Sequence, residues 1–372
     1  MKEVLDDIGR WRAAGRRIAI ARVVGVEGSG PRDPGATMAA NEDGEVAGSV
    51  SGGCVEGAVL TEALDVLSTG TPRTVSFGYS DDEAFAVGLT CGGTIAVYIE
   101  PLDWSDTLAA ALRAEAPVAV VTEIEGPHVG ARLVVRPDAD AEGTLGDAEL
   151  DRVVARDALG ELASGLTVIR HYGLRGEARR RDVAVFVESF APPPRMVIFG
   201  AVDFTAALAR VGKALGFRVT VCDARAVFAT PARFPMADEV VVDWPDRYLA
   251  KVGDDLGPRD AVCVLTHDPK FDVPAITAAL RTEVGYVGAM GSRRTHAARL
   301  ERLREAGVTD DDLGRLLAPI GLDIGARTPE ETAVSICAEV IALRTGRRAP
   351  SLRDSDGPIH APTSGVPGAL GD

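Results

Sequence analysis

The pattern of hydrophobic and polar positions changes character at residues 191–194. Before them, strand-like stretches alternate with turns and single helical patterns. IAIARVVGVEGSGP (18–31) leads through GATMAANEDGEVAGSV into a helix-like stretch ending at Leu67, then RTVSFGY (73–79) and TIAVYIEPL (94–102). VAVVTEIEGP (118–127) leads through GARLVVRPDADAEGTLGD into a helix-like stretch at 148–163, then TVIRHYG (167–173) and DVAVFVESF (182–190). The order of elements is the same twice, at an offset of roughly 90–100 residues, longer than a solenoid repeat. The pattern predicts a duplicated α+β unit. Two unrelated strand-rich stretches are the alternative.

After Ala191-Pro192-Pro193-Pro194, which reads as a stiff linker, the pattern becomes strand, helix, strand. RMVIFGA (195–201), FRVTVCDA (217–224), EVVVD (239–243), DAVCVLT (260–266) and EVGYVGAMG (283–291) are short and apolar, as strands covered on both faces should be. The first helix carries Phe204, Ala207, Leu208, Val211 and Leu215 on one face, with Gly216 as its stop. Further helices are expected at 272–281, 293–306 and 329–345. The last opens with an N-cap threonine, a first-turn proline and a capping-box glutamate in Thr328-Pro329-Glu330-Glu331. The fold class is therefore α/β: an N-terminal duplicated α+β domain followed by a Rossmann-like doubly wound parallel sheet. The expected divisions are 1–103, 104–190 and 195–347. A disordered tail rich in Pro, Gly, Ser and Asp is expected at 348–372.

Composition narrows the function. Apolar residues make up 46% of 372, enough for sizeable cores. The net charge of −15, with no Lys/Arg-rich run, argues against a nucleic-acid or anionic-membrane surface. No apolar stretch approaches the ~20 residues of a membrane span, and MKEVLDDIGRWRAAGRR lacks the apolar core of a secretory signal. Five cysteines, at 54, 91, 222, 263 and 337, form no C-x-x-C pair. The expectation is a cytoplasmic protein in a reducing compartment.

The first copy carries GSVSGGCVEGA (48–58) where the second has GTLGDAE (143–149), and GLTCGG (88–93) where the second has RGEARRRD. The first copy thus holds a glycine- and thiol-rich insert that the scaffold does not require. Val55, Val59, Ala63 and Leu67 share a helical face, so a helix is expected to begin near Cys54. Backbone N–H groups at its start, reached past Gly52 and Gly53, would make an anion cradle with Ser51 and Glu56 nearby. The same position favours a thiolate, the metal-binding form of cysteine. A small core cysteine beside a tight turn is the plainer alternative. Cys91, Gly92 and Gly93 form a second glycine-flanked thiol loop. Cys222, Cys263 and Cys337 sit in apolar patterns and read as core. Arg32 is either a phosphate clamp or a solvated turn residue.

In the second half, a G-x-G-x-x-G pattern keeps only Gly200, because Val202 and Asp203 occupy the turn. Asp223 nevertheless stands where a ribose-binding acid belongs. The carboxyl ends of the strands, where ligands of such sheets bind, also present His267, as base, donor or plain loop residue, and Ser292-Arg293-Arg294 as a phosphate cradle. No Ser-His-Asp order, HExxH helix or P-loop lysine is present. An NAD(P)-dependent oxidoreductase remains an alternative from these residues, as does a plain interaction scaffold.

GSVSGGCVEGA, GLTCGG, VIFGA, VTVCDAR, THDPKFD, GAMGSRRT and PIGLDIGARTPEETAVSICAEVIA, in that order over residues 10–345, closely resemble the XdhC/CoxI family of xanthine dehydrogenase accessory factors. The resemblance implies a chaperone that binds the molybdenum cofactor (molybdopterin or its cytosine dinucleotide form) as cargo. It implies that a cysteine desulfurase supplies the cofactor's sulfido ligand, and that delivery is to the large subunit of a molybdenum hydroxylase of xanthine, aldehyde or carbon monoxide dehydrogenase type. A homodimer fits a factor that meets several proteins. By resemblance Cys54 is the cofactor-associated cysteine and metal ligand, Cys91 lies in the second cysteine motif, and Asp323 lies in PIGLDIGA. The chain departs from the family at Val202-Asp203, where a glycine and a histidine are usual, and at Pro269, where the THD-H motif loses its second histidine. Both departures weaken the expectation of a bound nucleotide or NAD(P) there.

Overall fold

The computed structural model describes residues 1–27, 32–78, 93–104 and 106–354. They divide into two units, Met1–Pro192 and the residues from Pro193 onward. The first unit runs α1 (Leu5–Ala13), β1 (Ile18–Glu27), β2 (Thr37–Asn41), β3 (Val46–Gly48), α2 (Glu56–Thr69), β4 (Arg73–Phe77) and β5 (Thr94–Pro101). It continues with α3 (Asp106–Arg113), β6 (Val118–Glu125), β7 (Arg132–Arg136), β8 (Ala139–Thr144), α4 (Ala148–Ser164), β9 (Val168–Tyr172) and β10 (Val183–Phe190). The strands form two antiparallel five-stranded sheets, β3-β2-β1-β5-β4 and β8-β7-β6-β10-β9, one topology used twice.

Side chains alternate across a strand, so each sheet has two faces to cover. Ala19, Ala21 and Val23 of β1, with Ile95, Val97 and Ile99 of β5, pack against Val59, Ala63 and Val66 of α2. The other face meets the second sheet. Ile18 and Ile20 pack with Val118 and Val120, and Ala96 and Tyr98 pack with Ile124, Ala184 and Phe186. The outer face of the second sheet, through Ala119, Val121, Val185 and Val187, is covered by Leu150, Val154 and Ala158 of α4. The inner strands β1, β5, β6 and β10 are covered on both faces, which is why they read as near-continuous apolar runs. Each fully buried Ile or Val adds about 1.5–3 kcal/mol over an exposed one. Among the described residues the buried charged side chains between the sheets are Arg22, Glu100 and Glu188, at 0%, 3% and 2% exposure, with Thr122 also buried there.

The second unit runs β11 (Arg195–Phe199), α5 (Asp203–Ala214), β12 (Arg218–Cys222), β13 (Glu239–Val241), α6 (Pro245–Val252), β14 (Ala261–Val264) and α7 (Pro269–Leu280). β15 (Tyr286–Ala289), α8 (Arg293–Glu305), α9 (Asp310–Leu313), β16 (Leu316–Leu317) and α10 (Pro329–Thr345) complete it. The parallel sheet has the order β13-β12-β11-β14-β15-β16, the doubly wound order of dinucleotide-binding folds. Val197, Phe199, Val262 and Val264 line the core on one face, and Met196, Ile198, Ala261 and Cys263 the core on the other.

The expected capping box is present: Thr328 accepts from Glu331 N, and Glu331 accepts from Thr328 N. Cys222, Cys263 and Cys337 are buried core residues. Leu215 departs from its expected place on the apolar face of α5, because the helix ends at Ala214 and the side chain is exposed. Among the described residues no helix is long and apolar enough to cross a membrane. Of the expected tail, residues 355–372 lie outside the described residues.

Candidate functional site

The registers of β1 with β2 and β5, of β2 with β3, and of β4 with β5 place Glu27, Thr37, Gly48, Phe77 and Thr94 at one end of the first sheet. The SGGC loop leaves β3 at that end. The first copy is longer than the second at the two other connections there, 28–36 against 126–131 and 78–93 against 173–182. Residues 28–31 and 79–92, and with them Cys91 and Gly92, lie outside the described residues. Gly93 is described and buried just before β5.

The helix after the SGGC loop begins at Glu56, later than the apolar pattern suggests. Gly52 and Gly53 take φ of +78° and +116°, backbone states that break a helical first turn. Both are exposed, and a Cβ at either would meet none of the described residues within 4 Å. Cys54 follows, half-buried against the apolar core beneath α2. The expected anion cradle is already filled by the chain itself. The Glu56 carboxylate accepts from the N–H groups of Val50, Ser51, Gly53 and Val55 at 3.2, 2.9, 2.9 and 3.2 Å. The Ser49 and Ser51 hydroxyls donate to it, each at 2.5 Å. Burial pushes this carboxyl upward, but the serine and backbone hydrogen bonds win and hold it down at about 2. Cys54 N and Val55 N donate to Ser51 Oγ at 2.9 and 3.0 Å. These N–H groups of the loop before the helix therefore point at Glu56 and Ser51, not outward.

The second copy shows what the scaffold alone requires. Gly48 and Glu56 stand at the same spacing as Gly143 and Asp151, so the SGGC loop is not an insert but a substitution at constant length. Thr144 Oγ1 and Leu145 N donate to Asp151, as Ser49 Oγ and Val50 N donate to Glu56. Asp147, Ala148 and Glu149 occupy the places of Gly52, Gly53 and Cys54. There Asp147 caps a regular helix beginning at Ala148. The recurring hydroxyl and acid were visible in the sequence, but composition drew the eye to the glycines and the thiol.

Other expected site residues are not gathered here. Arg32 is half-buried and pairs with Glu3 at 3.3 Å. In the second unit Gly200 has φ +112°, and a Cβ there would lie 2.9 Å from the Thr266 methyl, so close packing against the end of β14 explains the glycine. Asp223 is buried and its carboxylate is fully engaged. It accepts from Ala201 N at 2.7 Å, from Arg225 N at 2.9 Å, and from the Arg225 guanidinium at 2.9 and 2.7 Å. Burial opposes the charge, yet these bonds hold the carboxyl below its ordinary range. Asp203 is exposed at the first position of α5. The geometry thus disfavours a pyrophosphate at this turn and a ribose on Asp223. Ser292 caps α8 by accepting from Thr295 N at 3.1 Å, while Arg293, Arg294, His267 and Asp323 are exposed. Among the described residues no group of three or more His, Cys, Asp or Glu side chains is placed to hold a metal ion. Among the described residues of the first unit, the half-buried Cys54 supplies the one thiol.

Known proteins resemble the chain over most of its length. The XdhC Rossmann domain matches residues 196–340, and the XdhC and CoxI family matches residues 11–78 and 111–173. A probable xanthine dehydrogenase subunit from Bacillus subtilis is 29% identical over 332 residues, covering 87% of this chain and 92% of that protein. The molybdenum cofactor insertion chaperone PaoD of Escherichia coli is 27% identical over 331 residues, covering 89% and 85%. A crystal structure described as a xanthine dehydrogenase from Bacillus halodurans superposes with a TM-score of 0.64 at 28% identity, covering 93% of this chain and 97% of that one. Both halves of the architecture and the two family matches lead to one assignment: the chain belongs to the XdhC and CoxI family.

Proposed function

We propose that this protein is an insertion chaperone for the molybdenum cofactor, carrying it as cargo to the large subunit of a molybdenum hydroxylase. Cys54 supplies a soft sulfur ligand to molybdenum, and a cysteine desulfurase provides the terminal sulfido ligand while the cargo is held. The observation that carries this reading is the glycine-opened turn at Cys54. Where the second copy starts a regular capped helix, the first exposes two side-chain-free residues next to a thiol. Membership of a family that includes a named molybdenum cofactor insertion chaperone supports it. Gly52 and Gly53 themselves present no side chain to a pterin dithiolene bound at the Cys54 thiol. Because the loop's N–H groups are engaged by Glu56, the cofactor's phosphate is not expected to sit there. Recognition at this point is by the metal.

The test is direct. Purified protein is mixed with molybdenum cofactor, and retained pterin is quantified by fluorescence after oxidation. Cys54→Ala is expected to weaken retention at least about tenfold. Unchanged retention would remove Cys54 from the mechanism. Client hydroxylase and desulfurase are tested by co-purification with the loaded protein.

A further inference from the structure

We infer that Glu56 is a positioning residue for Cys54, and that the extra methylene distinguishing it from its counterpart Asp151 is what sets the cysteine loop. The inference rests on the reading of Cys54 given above. The Glu56 carboxylate does two separable things. The half shared by both copies is structural: Ser49 Oγ and Val50 N donate to Glu56 in one, Thr144 Oγ1 and Leu145 N to Asp151 in the other. The other half belongs to the first copy. Ser51 N, Ser51 Oγ, Gly53 N and Val55 N also donate to Glu56. Of their counterparts in the second copy, Gly146 N donates to Thr144 Oγ1 and Leu150 N to the Asp147 cap instead. Gly53 and Val55 flank Cys54, so Glu56 holds the peptide on both sides of the thiol-bearing residue. It does so while Gly52 and Gly53 keep conformations no helix start would tolerate. The carboxylate also uses up N–H groups that would otherwise favour an anion, biasing the loop toward a soft metal centre and away from free phosphate.

Glu56→Asp separates the two halves, since Asp is what the second copy uses for the structural one. In a Cys91→Ser background, iodoacetamide labelling of Cys54 is followed against pH. Burial raises the thiols of Cys222 and Cys337 to about 12 and that of Cys263 well above its ordinary value, so they do not label in the folded protein. Glu56→Asp is expected to melt close to the parent. Its labelling profile is expected to move to lower pH and its rate at pH 7 to rise on the order of three- to tenfold, because Gly53 N is released beside the thiolate while Val55 N keeps only its bond to Ser51 Oγ. Molybdenum cofactor retention should fall with it. Asp151→Asn is the control, expected to lower the melting temperature and leave the profile in place. A Glu56→Asp protein with the parent's profile overturns the inference. If that variant does not fold, Gly53→Ala decides in the same way: its Cβ has open space but the φ of +116° must be abandoned. Retention that survives Cys54→Ala defeats the proposed function, whereas the labelling profile judges Glu56 independently of any cargo.

Discussion

Arg22 of β1 donates to Glu188 of β10 across the layer between the two sheets, and its other terminal nitrogen donates to Glu100 of β5. Glu100 also accepts from Arg132 of β7. The two copies share the arrangement in exchanged form. Arg22 stands opposite Thr37 in the β1–β2 ladder, and Thr122 stands opposite Arg132 in the β6–β7 ladder. Each copy gives one arginine, from opposite members of the pair, and one glutamate from the same place, Glu100 on β5 and Glu188 on β10. The charges balance, with Arg22, Glu100 and Glu188 buried and Arg132 partly exposed.

Removing one partner therefore strands a buried charge. Arg22→Ala is expected to cost about 3–5 kcal/mol in urea unfolding, and the double replacement Arg22→Met with Glu188→Met much less. A single variant within about 1 kcal/mol of the parent would show that the pair is solvated in solution.

The Glu56 bonds make stability depend on acid. A carboxyl held at about 2 in the fold, against 4.5 ordinarily, adds stability that is present above about pH 4.5 and is lost as pH falls toward 2. At pH 7 Glu56→Gln is expected to lose about 1–3 kcal/mol, and the gap should close near pH 2. Chemical denaturation at pH 7, 4 and 2.5 measures it, and a gap independent of pH would contradict the hydrogen-bonded carboxylate.

Gly48 and Gly143 occupy matching places, with φ of +74° and +95°. A Cβ would fall 2.3 Å from the Thr37 carbonyl oxygen in the first case and 2.2 Å from that of Arg132 in the second. Alanine at either is expected to cost at least about 2 kcal/mol by similar amounts. Circular-dichroism melts of the two variants compare them, and a neutral substitution at either would break the equivalence.

The second unit is expected not to take up NAD(P)H. Asp223 has no acceptor left to offer a ribose, and Asp203 places a negative charge at the start of α5. Titration followed by nicotinamide fluorescence should show no saturable binding in the micromolar range. Saturation there would mean that Arg225 releases Asp223 on binding.

Much of the fold was readable along the chain because its signals are local. Parallel strands covered on both faces must be short apolar runs, and Met196–Phe199, Val219–Cys222 and Ala261–Val264 are such runs. The Thr328 capping box needs only residues three apart. The duplication showed in the order of elements. The site was less readable. Val55, Val59, Ala63 and Leu67 marked the helix face correctly, but the helix start at Glu56 depends on the left-handed state of Gly52 and Gly53, which glycine permits without requiring. Asp223 stood at the right distance from Gly200, yet Arg225, two residues on, had already engaged it.

Residue type and spacing alone settled two sheets of repeated order, a doubly wound domain and a cysteine beside two glycines, because burial and helix capping act over a few neighbouring positions. Only the folded chain decided whether a polar group was still available. A donor's direction and its competitors come from segments brought together in space. The N–H groups expected to cradle a foreign anion are instead directed at Glu56.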